Sequence, residues 1–272
     1  MTEINPHISL VIPIHNEAGT LERNLSHVVE FMRSTGWSFE VVGVNDGSID
    51  DSGTILKRME ASFPEIVSVS YAVNEGKGQA LQRGIAETKG SWVIAIDSDL
   101  ELPIEQIQTF FAVQRRTGAQ VVIGSKWHPD SKLVYPKARK MLSRGLHTIV
   151  TLIFPLHLTD TQVGIKLMEG TAIRFVSHVT LVKRFAWDVE FLLVSQMYGL
   201  KISEAPVVLN FSRQGLGRVR IQTILRIARE VAGVWYRYYI KNFYVRSIEN
   251  NAQKMGLSAH ASPNTSGQGQ TL

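Results

Sequence analysis

Over the first 125 residues, short continuously apolar runs alternate with stretches whose apolar residues recur every three to four positions. Ile8–Ile14 reads as a strand buried on both faces, because parallel strands covered by helices on either side carry no polar alternation. Glu17–Ser34 follows with Leu21, Leu25, Val28, Val29 and Met32 on one helical stripe. The same alternation predicts strands at Phe39–Val44, Ile66–Val73, Trp92–Ile96 and Gln120–Gly124. It predicts helices at Asp50–Ala61, Gly78–Thr88 and Pro103–Thr117, the last with proline at its first turn. Strands that alternate with helices at this spacing imply βαβ units, and hence an α/β protein with a mainly parallel central sheet flanked by helices.

After Gly124 the rhythm changes. Asp160–Met168 reads as compact and irregular, Phe185–Tyr198 as a helix, Ile202–Leu209 as a strand and Ile221–Tyr244 as one long helix. From about Asn250 the chain is rich in Ser, Gln, Asn and Gly, a composition that buries too little apolar surface to fold. The expected organisation is one domain over residues 1–249, with a ligand-binding half at 7–125, a second half at 126–249 and a disordered tail at 250–272.

Charge sharpens this division. Residues 1–110 carry 16 acidic against 7 basic residues, and residues 111–272 carry 8 against 22. The modest total of +5 thus joins an acidic half suited to a cation with a basic half suited to an anionic partner. The 272 residues contain no cysteine, which excludes disulfides, thiolate metal sites and a cysteine nucleophile. No secretory leader is visible at the start, and the longest stretch free of Asp, Glu, Lys and Arg around Gly145–Thr159 is 15 residues, short for a membrane span. No G-x-G-x-x-G opens a βαβ unit, no Walker loop is present, and no nucleic-acid-binding motif accompanies the basic half.

In open parallel sheets ligands bind beyond the carboxyl ends of the strands. The residues that follow each expected strand are Pro13-Ile-His15-Asn16-Glu17, Val44-Asn45-Asp46-Gly47-Ser48-Ile49-Asp50, Asp97-Ser98-Asp99 and Gly124-Ser125-Lys126. Two carboxylates two positions apart after a buried strand can face one hard divalent cation, which is commonly held by one or two carboxylates plus substrate phosphates. Each element also has a structural reading. Glu17 can complement a helix dipole, Asp46 and Asp50 can serve as turn and cap residues, and Gly76-Lys77-Gly78 can be a turn before a helix. Lys166 and Gln162 can simply organise the irregular segment. Asp188 and Glu190 lie two apart on an expected helix, so they do not share a face. The expectation is that Asp188 faces the site and Glu190 faces solvent.

Taken together, Pro13-x-x-Asn16-Glu17, Asp46-Gly-Ser-x-Asp50, Gly76-Lys-Gly78-Gln-Ala80 and Asp97-Ser-Asp99 resemble the family-2 glycosyltransferases of GT-A fold. Asp160-Thr-Gln-Val-Gly164-Ile-Lys166-Leu and Trp187-Asp188-Val-Glu190-Phe-Leu are similar to the polyprenyl-phosphate members, and the second of these leans toward the dolichyl-phosphate β-glucosyltransferase branch rather than mannose synthases. The resemblance spans about residues 7–245. It implies that Pro13, His15 and Glu17 hold the donor nucleoside, that Val44 and Asp46 contact the base, and that Asp97, Ser98 and Asp99 meet the ribose and metal–diphosphate. It implies Asp99 and Glu101 as ligands of Mg2+ or Mn2+, and Lys126 at a phosphate-pairing position. Arg213 and Arg218 would close over the donor diphosphate and acceptor phosphate. The family pattern is departed from at His15, where an aromatic is common, at Asn45, where the first Asp of Asp-Asp-Gly-Ser is usual, and at Lys126, where Arg is common.

The implied reaction is inverting, metal-dependent transfer of one hexose from a nucleotide sugar to a polyprenyl phosphate, with UDP-glucose favoured over GDP-mannose. The absence of a Gln-x-x-Arg-Trp element argues against repeated chain extension. A phosphate acceptor is already anionic, with a second pKa near 6, so a general base is dispensable and binding cations become essential. Two alternatives stand beside it: a transferase of the same fold acting on a soluble hydroxyl, with Asp188 as base, and a nucleotide-sugar-binding protein without turnover. The basic, apolar segments Lys137–Thr159 and Ile221–Tyr244 read as amphipathic helices suited to an anionic bilayer. The expected location is therefore the cytoplasmic face of a membrane, peripherally or through a membrane-protein partner, with no nucleic acid involved.

Overall fold

The computed structural model of the chain describes residues 7–134, 137–210 and 221–254. Its centre is β1 (Ile8–Ile14), whose Ile8, Leu10, Ile12 and Ile14 point into one core layer and whose Val11 points into another. Burial on both faces is why this strand reads as an unbroken apolar run. On one side β1 pairs in parallel with β2 (Phe39–Asp46), which pairs with β3 (Ile66–Tyr71). On the other side it pairs in parallel with β4 (Trp92–Ala95). The connecting helices are α1 (Leu21–Ser34), α2 (Ser52–Ser62) and α3 (Lys77–Glu87). Helix α4 (Ile107–Thr117), preceded by a 3-10 turn at Ile104–Gln106, leads to β5 (Val121–Ser125).

One strand breaks the parallel pattern. β7 (Lys166–Glu169) inserts antiparallel between β4 and β5, giving the seven-stranded order β3-β2-β1-β4-β7-β5-β8 with β8 at Ile202–Pro206. The segment expected to be irregular therefore ends as a central strand. The run expected as one strand at Ile202–Leu209 divides at Pro206: β9 (Val208–Asn210) leaves the main sheet and pairs with β6 (Lys132–Val134). Helix α5 (Lys137–Ile153) precedes β7, and α6 (Gly170–Val179) and α7 (Trp187–Met197) follow it. The expected long C-terminal helix is α8 (Ile221–Trp235), a π-helical turn (Tyr236–Ile240) and α9 (Phe243–Lys254), broken at Asn242, whose φ of 48° is left-handed. Helix α9 passes the point where a tail was expected to begin; residues beyond Lys254 lie outside the described residues.

Close packing positions the site. A Cβ at Gly78 would lie 2.5 Å from the Cβ of Trp187 and 2.9 Å from the carbonyl carbon of Lys183. The first turn of α3 is thereby seated directly on α7. Gly78→Ala is expected to cost about 1–3 kcal/mol, lowering the thermal midpoint by several degrees in a chain of this size. An unchanged melting curve would show that the two helices are not held in this contact.

Candidate active site

The turns after β1, β2 and β4 meet at one rim and enclose a cleft of about 300 Å³. Pro13, His15, Glu17, Asp46, Asp97, Ser98 and Asp99, all singled out by sequence, line it together with Asn74, Gly76, Lys77, Arg184 and Phe185. A second, narrower cleft of about 120 Å³ shares Asp97 and Asp99 and adds Glu101, Lys126, Gln162 and Gly164. The expected convergence of strand ends on one rim is thus met, and both clefts open at the carboxyl edge of the parallel strands.

The β1 and β2 turns are stitched together by side chain to backbone bonds. His15 Nδ1 donates to the Asp46 carbonyl (2.8 Å), which leaves Nε2 to accept from the Asn16 amide (3.1 Å). Asn16 takes a left-handed φ of 56° and accepts from Ile49 N–H through Oδ1 (2.9 Å). Asp50 accepts from Ala18 and Ser52 N–H (3.0 Å each), a turn-organising role; the N-cap position of α2 itself is Asp51. Burial opposes ionisation of Asp50, but these bonds outweigh it and hold its pKa below the ordinary value. Asn45 accepts from Ser48 N–H (3.1 Å) and is buried. A neutral amide satisfies that turn without burying a charge, so its departure from Asp serves the loop's structure.

Asp46 is the more committed carboxylate. It accepts from Glu75 N–H (2.7 Å), Gly76 N–H (2.9 Å) and the Asn74 amide (3.1 Å), fixing the loop before α3. Val44 departs from expectation. Its side chain is fully buried and faces Gly84 of α3, so it belongs to the core and not to the cleft lining. The alternation of a strand explains this, since Val44 points to the face opposite its neighbours in sequence.

Lys77, at the first position of α3, was quoted in the sequence motif without a role. Its Nζ lies 2.5 Å from Asp97 Oδ1. The Lys77 side chain is 41% exposed; partial desolvation of its ammonium in the cleft pushes the pKa down, but the carboxylates of Asp97, Asp188 and Asp99 outweigh that and raise it above the ordinary lysine value. Lys77 is therefore a protonated cation in the cleft at neutral pH. Asp97 is confined from the other side as well, because a Cβ at Gly164 would collide with its carboxylate. Ser98 is held through its carbonyl, which accepts from the Asn24 amide of α1 (2.8 Å). Leu100 closes the turn with a left-handed φ of 50°, and its N–H bonds back to the Asp97 carbonyl (3.2 Å). A leucine in that conformation costs about 1 kcal/mol or more, which is stored where Asp97 and Asp99 are aimed.

On the second cleft, Lys126 pairs with Asp160 (2.8 Å), and both are largely buried. Asp160 also accepts from the Lys126 and Gln162 N–H groups (3.1 Å each). Lys166 is buried, donates to the Val163 carbonyl (2.7 Å) and pairs with Asp188 (2.6 Å). Its role is the organising one. Asp188 lies within the field of Lys77 but lines neither cleft. Glu190 corrects the sequence reading: it does not face solvent but is fully buried. Helix α7 has no solvent face, since every residue from Trp187 to Ser195 is buried. Arg213 and Arg218 lie outside the described residues.

Among the described residues no three His, Asp or Glu side chains gather closely enough to hold a metal ion by themselves. Asp97, Asp99 and Glu101 nevertheless bring hard carboxylate oxygens to the same cleft wall. That donor set fits a magnesium- or manganese-type ion, which takes one or two protein carboxylates and completes its shell with water and phosphate.

A profile of the family described as glycosyl transferase family 2 matches residues 9–174, from the second residue of β1 through β7, with Glu17, Asp46, Asp97, Asp99 and Glu101 inside it. The chain belongs to glycosyl transferase family 2. This glycosyltransferase is 30% identical over 213 residues to dolichyl-phosphate beta-glucosyltransferase ALG5A of Trichomonas vaginalis, covering 75% of the present chain and 66% of that relative. It is 26% identical over 219 residues to the dolichyl-phosphate beta-glucosyltransferase of Saccharomyces cerevisiae, covering 74% and 66%. The chain thus spans just under two thirds of the length of these two relatives. In structure it is similar to glucosyl-3-phosphoglycerate synthase of Mycobacterium tuberculosis in complex with Mn2+, UDP and glucosyl-3-phosphoglycerate. That match has a TM-score of 0.60 and 19% identity, covering 85% of this chain and 79% of the other. The fold is accordingly GT-A.

Proposed function

We propose that this glycosyltransferase moves one hexose from a nucleotide sugar, UDP-glucose, to a polyprenyl phosphate of the dolichyl type, with inversion at C1. The observation that carries the reading is the Lys77–Asp97 pair between two clefts lined by Asp97 and Asp99. The larger cleft would take the nucleoside against Pro13, His15 and Glu17, leaving the diphosphate beside Lys77. The similarity to dolichyl-phosphate beta-glucosyltransferases supports the acceptor class and the sugar.

In the displacement the acceptor phosphate oxygen bonds to C1 as the bond from C1 to the diphosphate oxygen breaks, and the electron pair leaves on the nucleoside diphosphate. The charge that develops there is best met by preorganised cations, and the Lys77 ammonium is one. A divalent ion bound by Asp99 and Glu101, with Asp97 beside them, would supply further Lewis-acid stabilisation of the leaving group. Lys126, paired with Asp160, would exchange part of that pairing for an incoming phosphate. The disposition of Asp188 favours a phosphate over a hydroxyl acceptor, since the candidate base is already engaged by Lys166. A phosphate acceptor needs no base. The pH profile of kcat/KM is therefore expected to rise through about pH 6, following acceptor ionisation, and then stay level to pH 8. A profile set instead by an enzyme carboxylate, and shifted in Asp188→Asn, would favour the hydroxyl reading.

No helix of the described residues is long and apolar enough to cross a membrane. The membrane side of the reading rests on an exposed apolar surface. Leu152 and Ile149 of α5, Trp235 at the end of α8, and Tyr236, Tyr239 and Ile240 of the π-helical turn are all exposed. The Tyr239 hydroxyl donates to the Ile153 carbonyl (2.8 Å), joining the two groups. Arg226, Arg229 and Lys241 flank them and are exposed. Such a surface suits peripheral binding to an anionic membrane, placed here on the cytoplasmic face. Co-flotation with vesicles containing phosphatidylserine is expected, and it should fall several-fold in a Leu152→Asp, Ile240→Asp double variant. Equal flotation of both proteins would remove this surface from the membrane.

The deciding assay gives purified protein UDP-glucose or GDP-mannose, Mn2+ or Mg2+, and a short polyprenyl phosphate, with 3-phosphoglycerate as a soluble acceptor in parallel. Glucose transfer to the lipid phosphate alone is the expected result. Transfer only to the soluble acceptor, or UDP binding with no product, would replace this reading with one of its alternatives.

A further inference from the structure

The buried carboxylate of Glu190 is not part of either cleft, yet it collects four donors from three separate elements. Its Oε2 accepts from Leu181 N–H (2.8 Å) and Val182 N–H (2.6 Å) in the segment between α6 and α7. Its Oε1 accepts from Arg237 in the π-helical turn (3.0 Å) and from the Tyr244 hydroxyl of α9 (2.5 Å). Arg237 Nε also donates to the Tyr244 oxygen (2.9 Å), closing a three-membered network. A second carboxylate, Glu230 of α8, accepts from Ala186 N–H (3.0 Å). The C-terminal helices therefore hold the 181–186 segment at one end through the Glu190 side chain of α7 and at the other directly, through the Ala186 N–H.

That segment is a wall of the larger cleft. Arg184 and Phe185 line it. Arg184 donates to the side-chain and main-chain oxygens of Asn74 (2.9 Å each), and Lys183 pairs with Glu75 (2.6 Å). The Lys183 carbonyl accepts from Gln79 N–H of α3 (2.8 Å). Asn74 in turn bonds the Asp46 carboxylate. A continuous chain of hydrogen bonds thus runs from Tyr244 and Arg237, through Glu190 and the 181–186 segment, to the loop at 74–76 and the strand end at Asp46.

We propose that Glu190 is a positioning residue through which the C-terminal helices set the geometry of the donor cleft. A buried carboxylate with all its donors in place fixes its surroundings stiffly, and one missing donor leaves a costly imbalance. The π-helical turn that supplies Arg237 also carries Tyr236, Tyr239 and Ile240 outward. Seating that turn on a surface would therefore be felt at the cleft. The consequence for nucleotide binding rests on the proposed donor site, whereas the tether itself does not.

The test compares wild type with Tyr244→Phe and Glu190→Gln, and with Glu40→Gln as a control. Glu40 is another buried carboxylate, bonded to Ser9 (2.6 Å) and Lys89 N–H (2.7 Å), but at the opposite end of β2 from the clefts. Amide hydrogen exchange should quicken at 181–186 and at 74–79 in the first two variants and in neither region in the control. UDP with Mn2+ should bind about tenfold more weakly to the first two and unchanged to the control. Unchanged exchange at both regions in Tyr244→Phe overturns the proposal. So does an equal loss of UDP binding in Glu40→Gln, which would mark the effect as general destabilisation. If wild type binds no UDP, the donor-site reading fails and exchange alone decides the tether. If Glu190→Gln does not fold, Tyr244→Phe carries the measurement, because it deletes one hydroxyl and strands no charge.

Discussion

Asp97→Ala should lower single-turnover transfer by roughly a thousandfold while the protein stays folded. Asp97 lines both clefts and pairs with Lys77. Removing it leaves the Lys77 ammonium without its partner and takes one carboxylate from the wall where a divalent ion would sit. Its side chain is 37% exposed, so the stability lost with the pair is small compared with the catalytic loss. Asp99→Ala should behave alike, because Asp99 shares both clefts. Turnover of radiolabelled donor sugar into lipid phosphate measures the first effect and a thermal melt the second. Both variants retaining full activity would dismiss the aspartates as the reacting centre.

The second large effect comes from a residue with no side chain. Gly164→Ala adds one methyl group where the Asp97 carboxylate lies, with its Cγ only 2.8 Å from the ideal Cβ position. Neither neighbour can yield easily: Val163 and Ile165 are buried on either side, and Lys166 is locked to Asp188 and the Val163 carbonyl. The carboxylate must rotate, which displaces it from the position in which it pairs with Lys77. Activity is expected to fall about a hundredfold, since a displacement of roughly an ångström at a reacting group has consequences of that order. The loss should appear in kcat more than in the binding of UDP, which also uses the β1 and β2 turns. A Gly164→Ala enzyme with wild-type kcat would place Asp97 elsewhere.

Much of the first half was legible because its signals are local. The runs at Ile8–Ile14 and Trp92–Ala95 are apolar without alternation, and the stripe from Leu21 to Met32 has the helical period. Strand ends then place Asp46, Asp97 and Asp99 at one rim by topology alone. What escaped depends on distant partners. β7 is four residues long and opens with a lysine, so nothing in its own sequence marks a central strand. Lys166 is tolerated there only because Asp188 and the Val163 carbonyl meet its ammonium. The solvent-facing expectation for Glu190 followed from helical geometry, but that rule assumes one exposed face and α7 has none. Arg184 and Phe185 reach the cleft across a sequence gap of more than one hundred residues from Asn74. Lys77 stood inside a quoted motif, yet its pairing with Asp97 becomes visible only when β4 lies beside β1.

The backward strand also governs how this sheet can come into being during synthesis. β5 pairs with β7 and β8, and it reaches β4 only through β7. A nascent chain that has emerged only as far as Ser125 holds β4 with an open hydrogen-bonding edge and β5 without a strand partner. Until Glu169 leaves the ribosome, that edge is a template for pairing with another molecule. Pausing in this interval, or truncation near it, is where the polypeptide is most exposed to self-association.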